Sequence, residues 1–391
     1  MEKHFVFVSM PATGHVNPTL PLVTELLRRG HRVSYAVGHE MASTVETTGA
    51  EVVELPTEMP KIPQQDQFGP QRLAGLMRFM LDDIQASFPM LEKRFHADKP
   101  DAVCFDVMTT IGRMLAEKLG VPEIALVPNF ASNENFSLRD ALSDSNAEFP
   151  VEVFAEFGRR IQQLGAEFGV HAYPPVGAPP AGLNLVFLPR EFQLSADTFD
   201  QRFRFLGPLL GDRAEVPWQP RDPHAPLLFI SLGTAFNNRP DFYRMCFAAF
   251  ADSPWQVAMS TGQHLDASEL GPVPANFDVR PSFPQPAVLR HAAVFLSHTG
   301  MNSTMESLHA GVPLVAVPQM PEQAANAARV EELGLGRRLN SGTLTAADLR
   351  AAVDEVAADE QVRAHLDGMR QIIHDCGGAV AGADALEEHL S

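Results

Sequence analysis

Ser297-His-Thr-Gly-Met-Asn-Ser-Thr-Met-Glu-Ser-Leu-His-Ala-Gly-Val-Pro-Leu-Val-Ala-Val-Pro-Gln-Met-Pro-Glu-Gln323 is the stretch around which the rest of the chain is read. The apolar run Ala293-Val-Phe-Leu296 before it is short and β-leaning, and it ends in small and polar residues able to open a helix. Gly300 allows a ligand close to the backbone. Asn302 and Ser303 fall in the first helical turn, where free N–H groups and the helix dipole attract an anion such as phosphate. Glu306, four residues past Asn302, shares its helix face and is suited to a ribose diol. The helix is expected to stop at Ala310-Gly311. Val312-Pro-Leu-Val-Ala-Val317 then returns as a buried parallel strand, with Glu322 and Gln323 beyond its end, a carboxylate and an amide suited to hexose hydroxyls.

The glycine-rich opening of such a unit recurs. Leu227-Leu-Phe-Ile-Ser-Leu-Gly-Thr234 is a buried strand ending in a turn, and Thr234 is a second candidate phosphate contact. The plainer reading of Thr234 is a loop hydroxyl bonded to its own backbone. At the N-terminus, Phe5-Val-Phe-Val-Ser9 leads through Pro11-Ala-Thr-Gly-His15 into a helix with Asn17 as N-cap and Pro18 in the first turn. Strands at Arg32–Val37 and Val52–Leu55 follow, the opening of a doubly wound parallel sheet. Pro56 to Pro89 breaks the pattern with Pro60, Pro63 and Pro70 before an apolar-rich helix. The sheet resumes at Ala102–Asp106, with a helix over Ile111–Leu119 and a strand at Ile124–Val127. From Asn129 to about Gly182 the chain is irregular, helical around Val151 to Phe168.

Taken in order, His298-x-Gly-x-Asn-Ser-x-x-Glu306 followed by Pro318-Gln-x-x-Glu-Gln323 resembles the donor signature of family 1 nucleotide-sugar glycosyltransferases. Pro281-Ser-Phe-Pro-Gln285 resembles the start of that signature, where many members place a Trp to stack on uracil. Ser282 stands at that position, leaving Phe283 or backbone contacts to hold the base. Gly14-His-Val-Asn-Pro18 is similar to the family's N-terminal motif, and the three motifs lie in family order over nearly the full length. The resemblance is closest to bacterial macrolide glycosyltransferases.

The resemblance implies an α/β chain of GT-B fold, two Rossmann-like domains facing across a cleft. Residues 1–208 would bind acceptor, 209–226 with Pro217, Pro220 and Pro223 would link, and 227–391 would bind nucleotide sugar. The final helix is a candidate to return to the N-terminal domain. The implied activity is inverting transfer of glucose from UDP-glucose to a macrolide, flavonoid or other phenol. His15 would be the general base, with Asp106 holding its other nitrogen. The plainer readings are a packed or capping histidine and a helix cap before Thr109. No Asp-x-Asp occurs, so no metal is expected, and His298, backbone N–H groups and the helix dipole are left to offset phosphate charge. Met77, Phe79 and Phe130 are candidate acceptor contacts, against the alternative that they fill a core. A nucleotide-sugar epimerase or hydrolase, or a transferase-like auxiliary protein, stays open.

Composition sets the bounds. At 391 residues, 45% hydrophobic and 20% charged, the chain suits two globular domains. A formal net charge of −18 disfavours nucleic acid and anionic membranes as partners. Cys104, Cys246 and Cys376 are odd in number and widely spaced, which disfavours a disulfide framework or zinc site and fits a cytoplasmic protein. The opening Met1-Glu-Lys-His4 does not read as a signal peptide, and no stretch is long enough to span a bilayer.

Overall fold

The structure, a computed structural model, describes residues 1–60, 70–138, 151–175, 177–211, 217–234, 236–263 and 265–391. Pro63 and its neighbours in the proline-rich excursion, part of the irregular 129–182 region and residues 212–216 of the expected linker lie outside the described residues. Two compact units emerge. Unit 1 holds the described residues up to Leu209 together with Cys376–Ser391; unit 2 holds Leu210–Asp375.

Unit 1 is built on strands β1 His4–Val8, β2 Arg32–Gly38, β3 Glu51–Leu55, β4 Ala102–Asp106, β5 Glu123–Val127, β6 Leu183–Val186 and β7 Phe203–Phe205. They form one parallel sheet in the order β3-β2-β1-β4-β5-β6-β7. Every residue of β1 and β4 is buried, as helices on both faces of a parallel sheet require. These helices are α1 Thr13–Val16, α2 Leu20–Arg28, α3 His39–Glu46, α4 Pro70–Ala97, α5 Thr110–Leu119 and α6 Val151–Phe168. Leu22, Val23 and Leu26 of α2 join Phe5, Phe7, Tyr35 and Leu126 in one core.

Unit 2 repeats the plan with β8 Leu227–Ser231, β9 Gln256–Ser260, β10 Phe277–Arg280, β11 Ala292–Ser297, β12 Leu314–Ala316 and β13 Gly336–Arg338. The parallel order is β10-β9-β8-β11-β12-β13. Its helices are α7 Pro240–Phe250, α8 Gln285–Leu289, α9 Met301–Ala310, α10 Pro321–Glu332, α11 Ala346–Ala358 and α12 Glu360–Asp375. The last helix, α13 Gly378–His389, packs against α2 of unit 1. Its Ala383 and Leu386 are fully buried in the unit 1 core, while Arg29 pairs with Asp384 and Glu387.

Two expectations change. Asn17 is not an N-cap: it has helical φ/ψ and is the C-cap of α1, so His15 lies inside a helical turn. A 3₁₀ turn over Asn17–Thr19, with Pro18 inside, then feeds α2. The apolar-rich helix expected after Pro70 is found as α4, but it runs on through Pro89, where the excursion was expected to end, to Ala97. Elsewhere the cap chemistry is as read: Gly120 and Gly311 are both left-handed and close α5 and α9.

Candidate active site

In each sheet the strand order reverses once, between β1 and β4 in unit 1 and between β8 and β11 in unit 2. Ligands of such sheets sit beyond the carboxyl ends of the strands at that reversal. The two reversals are where the candidate residues gather.

In unit 1, Val8 pairs with Phe105, so β1 and β4 end side by side and deliver α1 and Asp106 to the same edge. His15 Nδ1 lies 2.6 Å from Asp106 Oδ2. The carboxylate is buried, with a side-chain exposure of 1% against 26% for His15. Its other oxygen accepts the Met108 N–H at 2.7 Å, which fixes the carboxylate plane. An ionised carboxylate on Nδ1 keeps a proton there and leaves Nε2 as the basic nitrogen, the arrangement a general base needs.

In unit 2, Ser231 and Ser297 are register partners at the ends of β8 and β11. Each serine hydroxyl accepts an N–H two residues on, from Gly233 at 3.3 Å and from Thr299 at 3.0 Å, turning both chains sharply. The two turns meet around His298. A Cβ on Gly233 would lie 2.5 Å from His298 Nε2 and one on Gly300 2.6 Å away, so only glycine fits at either place. Gly233, at φ +75, also needs a left-handed backbone. Burial pulls the His298 pKa down to about 4, with the Ser231 backbone opposing. In this state His298 is neutral at pH 7. The positive charge expected of it is absent at that pH, and Nδ1 is buried without a hydrogen-bond partner.

Asn302 and Ser303 occupy the first turn of α9, with Gly300 as N-cap. Gln285 Nε2, from the start of α8, donates to Ser303 Oγ at 3.0 Å and to Glu306 Oε2 at 2.7 Å. These three candidates form one polar cluster, and Glu306 is 5% exposed. Glu322 and Gln323 fall in the first turn of α10 rather than at a strand end, since β12 stops at Ala316. Gln323 Oε1 is taken by the Gln319 N–H at 2.9 Å. Thr234 and Ser282 are exposed. Phe283 is packed under the Arg280 guanidinium, 4.9 Å from its ring, and edge-on to Trp218 and Phe229. Met77, Phe79 and Phe130 are all buried, and Phe130 stacks on Phe192 at 5.7 Å.

Sequence reading missed Thr299 and Asn326. Thr299 is fully buried at φ +59, a left-handed conformation that costs a β-branched residue on the order of 1–3 kcal/mol. Asn326 Nδ2 donates to the Thr299 carbonyl at 2.9 Å. Asn326 lies three residues past Gln323, and only that proximity to the signature hinted at it.

Known proteins share this architecture and this sequence. Residues 219–376 match the family model described as "UDP-glucoronosyl and UDP-glucosyl transferase". The NDP-glycosyltransferase YjiC of Bacillus licheniformis is 40% identical, with 100% of this chain and 98% of the relative aligned. The demethyllactenocin mycarosyltransferase of Streptomyces fradiae is 37% identical over 99% of this chain and 87% of its own length. Among solved structures, the calicheamicin glycosyltransferase CalG4 superposes with a TM-score of 0.85 at 37% identity, covering 100% of this chain and 98% of that one. With the two parallel sheets and the donor signature set at a reversal of strand order, the chain belongs to the family 1 UDP-glycosyltransferases of GT-B fold and is a nucleotide-sugar glycosyltransferase.

Proposed function

We propose that the enzyme transfers glucose from UDP-glucose, with inversion and without a metal, to a hydroxyl of a hydrophobic natural product such as a macrolide, flavonoid or other phenol. The observation that carries this reading is the 2.6 Å pair of His15 Nδ1 and Asp106 Oδ2 at the reversal of the unit 1 sheet. His15 Nε2 takes the acceptor's hydroxyl proton while its oxygen forms a bond to C1 of the sugar. The bond from C1 to the diphosphate breaks in the same displacement, and UDP leaves with the electron pair. Asp106 stabilises the imidazolium so formed. The N-terminus of α9 and the backbone at Gly300 receive the diphosphate beside His298, and Asn302, Ser303, Gln285 and Glu306 hold phosphate and ribose. Glu322 and Gln323 read the sugar hydroxyls. The base rests near Ser282, Phe283 and Thr234, and the apolar acceptor against the segments carrying Met77, Phe79 and Phe130. The names of the relatives, an NDP-glycosyltransferase and a demethyllactenocin mycarosyltransferase, support a nucleotide-sugar donor and a natural-product acceptor.

The test is a mass-spectrometric screen of UDP-glucose and TDP-glucose against macrolide and phenolic acceptors, repeated with His15→Ala and Asp106→Asn. Glucosylated product is expected, faster with the uridine donor and unaffected by chelator. His15→Ala should lose ~10²–10⁴-fold in turnover with UDP affinity intact, the usual worth of a general base. Asp106→Asn should lose less with an acidic phenol than with an alkyl alcohol, which needs more help to give up its proton. Glucose released without any glycosylated acceptor would favour a hydrolase, and a full rate for His15→Ala on an alkyl alcohol would remove His15 as base.

A further inference from the structure

The turn assigned to the diphosphate and the helix that carries Glu322 and Gln323 are fastened together by buried side chains. Thr299 Oγ1 donates its one proton between the His298 carbonyl at 2.6 Å and the Gln323 carbonyl at 3.0 Å, and the Thr299 carbonyl accepts from Asn326 Nδ2 at 2.9 Å. Gln323 in turn fixes the loop before α10 through its bond to the Gln319 N–H. Thr299 and Asn326 both have no exposed surface, and Asn326 Oδ1 is buried without a partner. A β-branched residue does not hold a left-handed backbone by itself, so the bonds to α10 act together with the Ser297 hydroxyl, which accepts the Thr299 N–H, to maintain the turn in its observed form.

We propose that Thr299 and Asn326 are positioning residues that set the separation between the diphosphate turn and Glu322–Gln323, and thereby determine how strictly the enzyme selects the sugar of its donor. The inference rests on the donor reading given above. Its physical basis is the different range of the two kinds of contact. Attraction of an anion to a helix end weakens gradually with distance, whereas a hydrogen bond to a sugar hydroxyl is lost beyond a few tenths of an ångström. Loosening the link should therefore spare nucleotide affinity and erode discrimination against sugars that lack a hydroxyl.

The measurement is the ratio of kcat/KM for UDP-glucose to that for UDP-4-deoxyglucose or UDP-6-deoxyglucose with one acceptor, since such a ratio does not depend on how much of the protein is folded. Thr299→Val keeps the shape and removes the hydroxyl, and Asn326→Leu removes the amide. Each is expected to lower the ratio about 10-fold or more, the scale of a sub-ångström misplacement, with the Kd for UDP changing less than about 3-fold. Thr299→Ser, which keeps the bond to Gln323, should restore the wild-type ratio. Two purely structural residues would lower the melting temperature and leave the ratio alone, and that result overturns the inference. A wild-type ratio near one overturns the donor reading and the inference with it. If Glu322→Ala abolishes the preference while Thr299→Val and Asn326→Leu preserve it, the donor reading stands and the inference alone fails. Should Thr299→Val not fold, Asn326→Leu and Thr299→Ser decide between the same outcomes.

Discussion

At His298 the ring is enclosed between Gly233 and Gly300, and its pKa stands at about 4 against an ordinary 6.5. The sign of the pH effect follows from those two values. Between pH 6.5 and 4 the unfolded chain binds a proton at this residue and the folded protein does not. The stabilisation is therefore complete above 6.5 and is lost as the pH falls towards 4. Thermal melting should show a wild-type decline across that window that is shallower in His298→Asn, and parallel pH profiles would refute the assignment. A bound diphosphate reverses the balance by favouring the imidazolium. Titration of UDP near pH 5 in buffers of different ionisation enthalpy should then register proton uptake by the wild type.

Two turns are joined at that ring, one following β8 and the other following β11, so the geometry is a property of elements as well as of side chains. Gly233→Ala would put a methyl group into the imidazole and force a left-handed alanine at once. We expect it to weaken UDP binding by ~10-fold or more, because the anion loses a properly placed turn, while His15-dependent proton chemistry in unit 1 is untouched. Calorimetry of UDP binding decides this, and an unchanged Kd would show that the β8 turn is not part of the donor site. The elements themselves were largely visible in the sequence, and for physical reasons. Strands such as Phe5–Val8 and Leu227–Ile230 are buried on both faces and so read as unbroken apolar runs, and Gly120 and Gly311 mark helix ends because those ends need a left-handed residue. The region around His15 was misread in detail because Asn17-Pro18 carries the local chemistry of a helix start, and packing around Val16 and Thr19 prevails over it. Thr299 was invisible for a stronger reason. Its conformation contradicts its own local preference and is held in part by bonds to α10, which no scan of neighbouring residues could reveal. The neutrality of His298 was hidden likewise, since burial belongs to the folded chain and not to the motif.

On the scale of the molecule, the described residues of unit 2 come from one stretch of sequence and those of unit 1 do not, because α13 completes the unit 1 core. A chain ending at Asp375 would lose the fully buried Leu386 and the Glu387 carboxylate that serves both Arg29 and His31. Removing one buried leucine side chain typically costs about 2–5 kcal/mol, and the truncation removes more than one such contact. Hydrogen exchange on that shortened protein should show α2 and β2 losing protection while β8 and β11 keep theirs. A uniform loss across both sheets would mean that the two units do not respond separately.

That interrupted core also fixes an order of events during synthesis. Unit 2 is translated between the main body of unit 1 and the helix that closes it. At roughly 5–20 residues per second, the unit 1 sheet waits on the order of ten to thirty seconds on the ribosome with the α13 side of its core open. Unit 2, whose strands are all made before that helix emerges, has everything it needs to fold first.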